Sequence, residues 1–264
     1  MVSKRDRILK LVDYIESCNI KVNIAKNKAR GKQGYFATNG KFYRIDIAKN
    51  LTEDAIIRLL AHEFAHFVHY NYDKTLQKLD FVFDSTDTIL EELLKITVNS
   101  IPKENVLPLF NAKDVLKTDI KNLSNELKLI HPDYKINENN KLIEKRINKT
   151  NLKFLLSHDN VKLINGFTEL FYSIDNLNTD LDIELYLKIK SKKRALNRIN
   201  SKITKMNKYY NSPTELFARF FEMFVMEKDK LQQIAPFSYA KFEKVFLEKK
   251  IPYINNFIKC LECK

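Results

Sequence analysis

Thr52-Glu53-Asp54-Ala55-Ile56-Ile57-Arg58-Leu59-Leu60-Ala61-His62-Glu63-Phe64-Ala65-His66-Phe67-Val68-His69-Tyr70 is the stretch on which the reading of this chain turns. Its start is marked. Thr52 is a favoured N-cap residue, and Glu53 and Asp54 suit the positive end of a helix dipole. Most residues after them are apolar, from Ile56 and Ile57 through Leu59, Leu60, Ala61, Phe64, Ala65, Phe67 and Val68, so the helix is expected to be largely buried. Apart from Glu63, its polar residues Arg58, His62, His66 and His69 fall on one narrow stripe. Unpaired polar groups inside a protein cost ~1–3 kcal/mol each. A buried helix therefore does not keep a row of imidazoles without partners.

Within this helix His62-Glu63-Phe64-Ala65-His66 sets two imidazoles at i and i+4, one turn apart on the same face. That spacing lets both bind one zinc ion. Glu63, about 100° further round, is placed to act as general base towards a water at such a site. A zinc ion there would lower the pKa of water towards ~7 and polarise a carbonyl. Histidines that merely bond to carbonyls or face water are the competing explanation. Against it, three of the five histidines in the chain lie in this one stretch.

A hydrolytic zinc site takes three protein ligands. His69 shares the face, but three rings in line along one straight helix do not close easily on one ion. Asp73, one turn on, requires the helix to end first. The segment Tyr209-Tyr210-Asn211-Ser212-Pro213-Thr214-Glu215-Leu216-Phe217-Ala218-Arg219-Phe220-Phe221-Glu222 offers a further candidate. Ser212 reads as an N-cap and Pro213 as the first residue of a helix. That helix is apolar except for Glu215, Arg219 and Glu222, which lie within about 60° of arc. Such a stripe is expected to face something ionic: Glu215 a metal, with Arg219 beside its distal oxygen or an oxyanion. A Ser212–Glu215 capping box accounts for the glutamate without a metal and stays open here. Tyr209 and Tyr210 are candidates to give a phenol to an oxyanion, with Tyr210 the preferred one, or to pack as plain aromatics.

Together the two segments resemble the gluzincin branch of metallopeptidases, in which a helical HExxH is completed by a glutamate from a later helix. More narrowly, HEFAH with YYNSPTELFARFFE looks like zincin-like domains carried by phages, plasmids and other mobile elements. The resemblance covers about a third of the chain. It implies zinc, held by His62, His66 and Glu215, with Glu63 as base, and a protein or peptide as substrate.

Upstream, Gly34-Tyr35-Phe36-Ala37-Thr38 and Lys41-Phe42-Tyr43-Arg44-Ile45-Asp46-Ile47 flank Asn39-Gly40, a strong hairpin signal. Residues 4 to 18 read as an amphipathic helix. Residues 74 to 200 read as a helical insertion, with helices expected over 85–98, 112–129, 141–156 and 179–208, and breaks at Pro102, Pro108, Pro132 and the Asn137–Asn140 run. The expected fold is α+β, a mostly helical zincin-like domain with a small antiparallel sheet beside the motif helix. Its parts are 1–73, the insertion 74–200 and a C-terminal part 201–264.

The 264 residues carry a net charge of +13. Nine basic residues and no acid lie between Lys188 and Lys208, a stripe able to follow a phosphate backbone. The alternative reading is thus a nucleic-acid-binding protein whose zincin domain is structural or degenerate. Three cysteines, Cys18, Cys260 and Cys263, do not make a disulfide framework and fit a cytoplasmic protein. No window approaches the ~20 apolar residues of a membrane span.

Overall fold

The computed structural model describes residues 4–25, 33–84, 86–100, 103–131, 136–157, 161–164, 167–170 and 177–262. Pro102, Pro132 and Cys263 lie outside the described residues. The fold is α+β and mostly helical. The chain divides into two compact units, Met1–Ile101 with Asn207–Lys264, and Pro102–Met206. The division falls later than the expected 74–200 because a helix following residue 74 belongs to the first unit.

The first unit opens with α1 (Lys4–Ser17), β1 (Ile20–Ala25), β2 (Gly34–Thr38) and β3 (Tyr43–Ala48). The sheet order is β1-β3-β2, with β3 antiparallel to β2 and parallel to β1. The small sheet is therefore mixed, and only its hairpin half is the expected antiparallel pair. Alternation of Ile20, Val22 and Ile24 with Lys21 and Asn23 signals β1, a strand the hairpin reading omits. The turn also differs from a two-residue Asn-Gly turn. Thr38 pairs with Tyr43, so four residues make the connection. Only Gly40 has positive φ (84°), and the Asn39 side chain accepts from the N–H groups of Lys41 and Phe42. That local bond replaces the second positive φ.

The motif helix α2 spans Glu53–Tyr72 and is capped by Thr52, whose hydroxyl accepts from Ala55 N–H at 3.3 Å. Next in chain order is α3 (Asp87–Ser100). Buried Glu92 on α3 accepts from the N–H groups of Phe237 (3.2 Å) and Ser238 (2.7 Å) and from the Ser238 hydroxyl (2.7 Å). An acid bonded to the first turn of a later helix ties α3 into the first unit.

The second unit holds α4 (Lys103–Ile130), α5 (Ile136–Ile147), a 3-10 turn (Asn151–Leu156), the hairpin β4 (Val161–Ile164) with β5 (Phe167–Leu170), and most of α6 (Leu181–Tyr210). Pro108 sits within α4 rather than at a break, near enough to its start to remove only one early helix bond. The Asn137–Asn140 run lies in the first turns of α5, where short polar side chains are tolerated. Leu127, Ile143, Ile147, Leu155, Tyr186 and Leu187 are among the residues of this unit's own core.

The chain then returns to the first unit with α7 (Pro213–Met226), α8 (Lys228–Ile234), α9 (Pro236–Leu247) and α10 (Pro252–Glu262). Helix α7 packs most extensively against α2. Around that pair Phe64, Phe67, Phe83, Phe217, Phe220, Phe221, Phe242 and Phe257 are fully buried. Among the described residues no helix is long and apolar enough to cross a membrane.

Candidate metal centre

Because α2 and α7 are buried against each other, their polar stripes can only face each other. His62, Glu63 and Glu215 are 7%, 5% and 3% exposed, too little for water to satisfy them. Each histidine spends its Nδ1 on a partner from α7. His62 Nδ1 lies 2.9 Å from Glu222 Oε2, and His66 Nδ1 lies 2.8 Å from the Thr214 hydroxyl. Fixing Nδ1 turns both Nε2 atoms to the same point, where Glu215 meets them. His66 Nε2 is 3.3 Å from Glu215 Oε1 and His62 Nε2 is 3.6 Å from Glu215 Oε2. The three donor atoms lie within 4.8 Å of one another.

These separations suit an ion better than hydrogen bonds. Four donors held 2.0–2.1 Å from a tetrahedral zinc stand about 3.3–3.4 Å apart. Glu215 Oε2 is buried and has no hydrogen-bond partner, and Arg219 Nε, 3.9 Å away, has none either. An orphaned carboxylate oxygen at 3% exposure costs energy unless a cation meets it. The residues present therefore fit a divalent metal with nitrogen and oxygen ligands.

The electrostatics point the same way. Glu222 lies 3.7 Å from the Arg58 guanidinium and Glu215 3.9 Å from that of Arg219, while Glu63 is a third buried carboxylate of the cluster. Three carboxylates stand against two guanidinium groups, so a further positive charge among them, an imidazolium or a metal ion, is favoured. Burial opposes charging His62, but Glu215 and Glu222 outweigh it and raise its pKa to about 10. Burial likewise acts to raise the Glu215 pKa, and the two imidazoles outweigh it and hold the carboxyl well below its usual range.

Ser212 does not cap α7 with its side chain. Its hydroxyl donates to Tyr209 O at 2.8 Å and its N–H goes to the same carbonyl. The capping-box explanation of Glu215 is therefore not realised. His69 is fully buried against Phe81 and Phe217, and Asp73 caps the end of α2, so neither joins the triad.

A pocket of about 190 Å³ opens on the cluster, lined by Gly34, Tyr35, Phe36, Glu63, His66, Leu76, Tyr209, Thr214 and Glu215. Tyr209 lines it and Tyr210 does not. Partial desolvation of a ring that is still 41% exposed, together with the neighbouring Glu215 carboxylate, pushes the Tyr209 phenol pKa up. The preferred Tyr210 instead lies with its ring 5.0 Å from the Arg219 guanidinium. Arg219 is also absent from the lining, so it sits behind Glu215 rather than beside a substrate. Neither Thr214 nor Gly34 is a site residue that sequence reasoning finds. A Cβ on Gly34 would stand 2.6 Å from Glu63 Oε1, so this glycine makes room for the candidate base. A larger groove of about 530 Å³ runs near Lys21, Phe42 and Arg44, but no metal-ligand set converges there among the described residues.

No protein-family model matches the chain, and no solved structure matches it. An alanine–tRNA ligase of Buchnera aphidicola subsp. Schizaphis graminum is 32% identical over 90 residues, a span of 33% of this chain and 10% of that protein. The chain thus matches about a tenth of that relative's length, and so short a match assigns neither a family nor a site.

The basic stripe of α6 is partly neutralised within the second unit. Lys188 pairs with Glu184, Lys190 with Glu144 and Lys192 with Asp119, while Arg194 donates to the carbonyls of Leu155 and Leu156. Lys202, Lys205 and Lys208, further along, are exposed.

Proposed function

We propose that this chain is a zinc-dependent peptidase of the gluzincin type. One observation carries the reading: His62 Nε2, His66 Nε2 and the Glu215 carboxylate converge from α2 and α7, with Glu63 on the wall of the pocket in front of them. His62, His66 and Glu215 would hold the metal. When bound, zinc supplies Lewis acidity, which polarises the scissile carbonyl and makes water easier to deprotonate.

The remaining work falls to side chains. Glu63 takes the proton from the attacking water as the new C–O bond forms, then hands it to the departing amine as the C–N bond breaks. Tyr209 keeps its proton at neutral pH and presents its phenol to the carbonyl oxygen as charge develops there. Glu222 and Thr214 orient the two imidazoles, and Arg219 steadies Glu215. Strand β2 is an edge of the sheet, and its residues Gly34 to Phe36 line the pocket. An extended peptide added to that edge passes the cluster.

Metal analysis of the purified protein is the first test, with about one zinc per chain expected. Glu63→Gln is expected to keep that zinc and abolish hydrolysis of unfolded casein. A metal-free protein, or full activity in the variant, rejects the proposal.

The second reading, a nucleic-acid-binding protein, is favoured by the exposed Lys202, Lys205 and Lys208 on one stretch of α6. It is compatible with a peptidase acting near nucleic acid.

A further inference from the structure

One residue on the pocket wall has no part in this chemistry. Leu76 lines the pocket, and its backbone lies in the left-handed region with φ 54°. Side chains with a Cβ rarely adopt that conformation, and Asn or Gly is the usual occupant. The chain follows this habit elsewhere, at Asn19, Gly40 and Asn50; Lys249 is the exposed exception. Leu76 is the one apolar residue in that region among the described residues. Such outliers persist only where their surroundings over-determine them, and they collect at ligand clamps.

The surroundings here do so. Asp73 ends α2, its N–H donating to His69 O at 2.7 Å. Its carboxylate accepts from Thr75 N–H (3.1 Å), from the Thr75 hydroxyl (2.6 Å) and from Lys78 N–H (2.6 Å). Leu76 N–H donates back to Asp73 O at 2.9 Å. The turn is thus fastened to the same helix that carries His62, Glu63 and His66. Nothing in these bonds needs leucine at position 76, because every one is made by backbone or by Asp73 and Thr75.

The pocket's composition says what leucine is for. Phe36, whose ring stacks on that of His66 with centroids 6.5 Å apart, Tyr35, Leu76 and Tyr209 supply apolar and aromatic wall. No lysine or arginine is among the described residues that line it, and its polar groups include the Glu63 and Glu215 carboxyls and the His66 imidazole. An uncharged, apolar side chain fits such walls, whereas an acidic one meets two carboxylates.

Resting on the peptidase reading, we propose that Leu76 is a specificity-determining residue. It sets the size of the apolar substrate side chain seated next to the scissile bond, and the Asp73 turn holds it in place.

The test uses the zinc-loaded full chain and short peptide hydroxamates that differ only in the flanking residue: Ala, Leu, Phe or Asp. Affinity is read by calorimetry, alongside zinc content. The wild type is expected to prefer Leu or Phe over Asp by about tenfold or more. Leu76→Ala should move the preference towards Phe and Leu76→Phe towards Ala, each by about tenfold, the scale set by small changes in apolar pocket size. Asp73→Asn, which loosens the turn but keeps leucine, should flatten the preference. All variants are expected to keep full zinc. Unchanged rank order in fully zinc-loaded variants overturns the role of Leu76 and leaves the peptidase reading intact. Failure of the wild type to take up zinc overturns both.

Discussion

Gly34→Ala tests the placement of the candidate base directly, because the strain can be read from the structure. The added Cβ would lie 2.6 Å from Glu63 Oε1, 3.3 Å from Glu63 Cδ and 3.1 Å from Leu59 Cδ2. Ordinary contact starts near 3.4 Å, so Oε1 must retreat by 3.4 − 2.6, or about 0.8 Å. Gly34 has no positive φ, so alanine acts by bulk and not through the backbone. The group that yields is the end of a flexible side chain, and stability should change little. Proton transfer is less forgiving: a misplacement of about 1 Å can cost ~100-fold in rate. We therefore expect kcat/KM to fall roughly 30- to 100-fold, about 2–3 kcal/mol of transition-state stabilisation. Zinc content should be unchanged, since Glu63 is not a ligand. Peptide hydrolysis, metal analysis and a thermal melt decide it. Full activity with full zinc would refute the placement of Glu63 as base. Loss of zinc together with rate would show that β2 supports the ligands instead.

Three further outcomes are expected. Glu222→Ala removes the carboxylate bonded to His62 Nδ1 at 2.9 Å and should weaken zinc affinity about 10- to 100-fold, as measured by competition with a chelator. His69 adds an acid-sensitive element. Burial, opposed by the Asp73 carboxylate, lowers its pKa from 6.5 to about 4, so it is neutral in the folded protein where the unfolded chain takes up a proton. Its contribution is whole above pH 6.5 and is lost as pH falls from 6.5 to about 4, ~3 kcal/mol at most. Denaturant melts across that range should show a smaller acid loss in His69→Phe than in the wild type. If α6 binds duplex DNA through Lys202, Lys205 and Lys208, log K should fall with log salt at a slope of about −3, and replacing all three by alanine should abolish that dependence.

The helices that carry the centre are legible in the sequence because several local signals agree in each. Thr52 with Glu53 and Asp54 opens α2, Ser212-Pro213 opens α7, and both helices have one narrow polar stripe. Periodicity alone places Glu215, Arg219 and Glu222 together. What it cannot give is the identity of partners across elements. Thr214 reaches His66 and Glu222 reaches His62 over 148 and 160 residues, and Gly34 bounds Glu63 from another strand. Tyr209 and Tyr210 are adjacent, so the choice between them rests on the turn from α6 into α7, which no local pattern specifies. Strand β1 has the right alternation, but its parallel pairing with β3 is a non-local choice. The β4–β5 hairpin escapes a local reading because it interrupts a stretch dominated by helical composition.

The separation of the motif from Glu215 is physically unproblematic once the units are known. Residues 102–206 form a compact unit with a core of their own, and the helices that carry His62, His66 and Glu215 belong to the other unit. The entropy of closing a loop grows only logarithmically, by ~0.6 kcal/mol for each doubling of length. A self-folded insertion adds little even to that. The buried phenylalanines around α2 and α7 bring Glu215 to the histidines whatever lies between them in sequence. Three carboxylates drawn into that apolar setting would repel one another, and Arg58 and Arg219 offset only part of the charge. A divalent cation would supply the rest. Metal binding should then also be folding energy for this unit, so that chelation lowers its melting temperature as well as its activity.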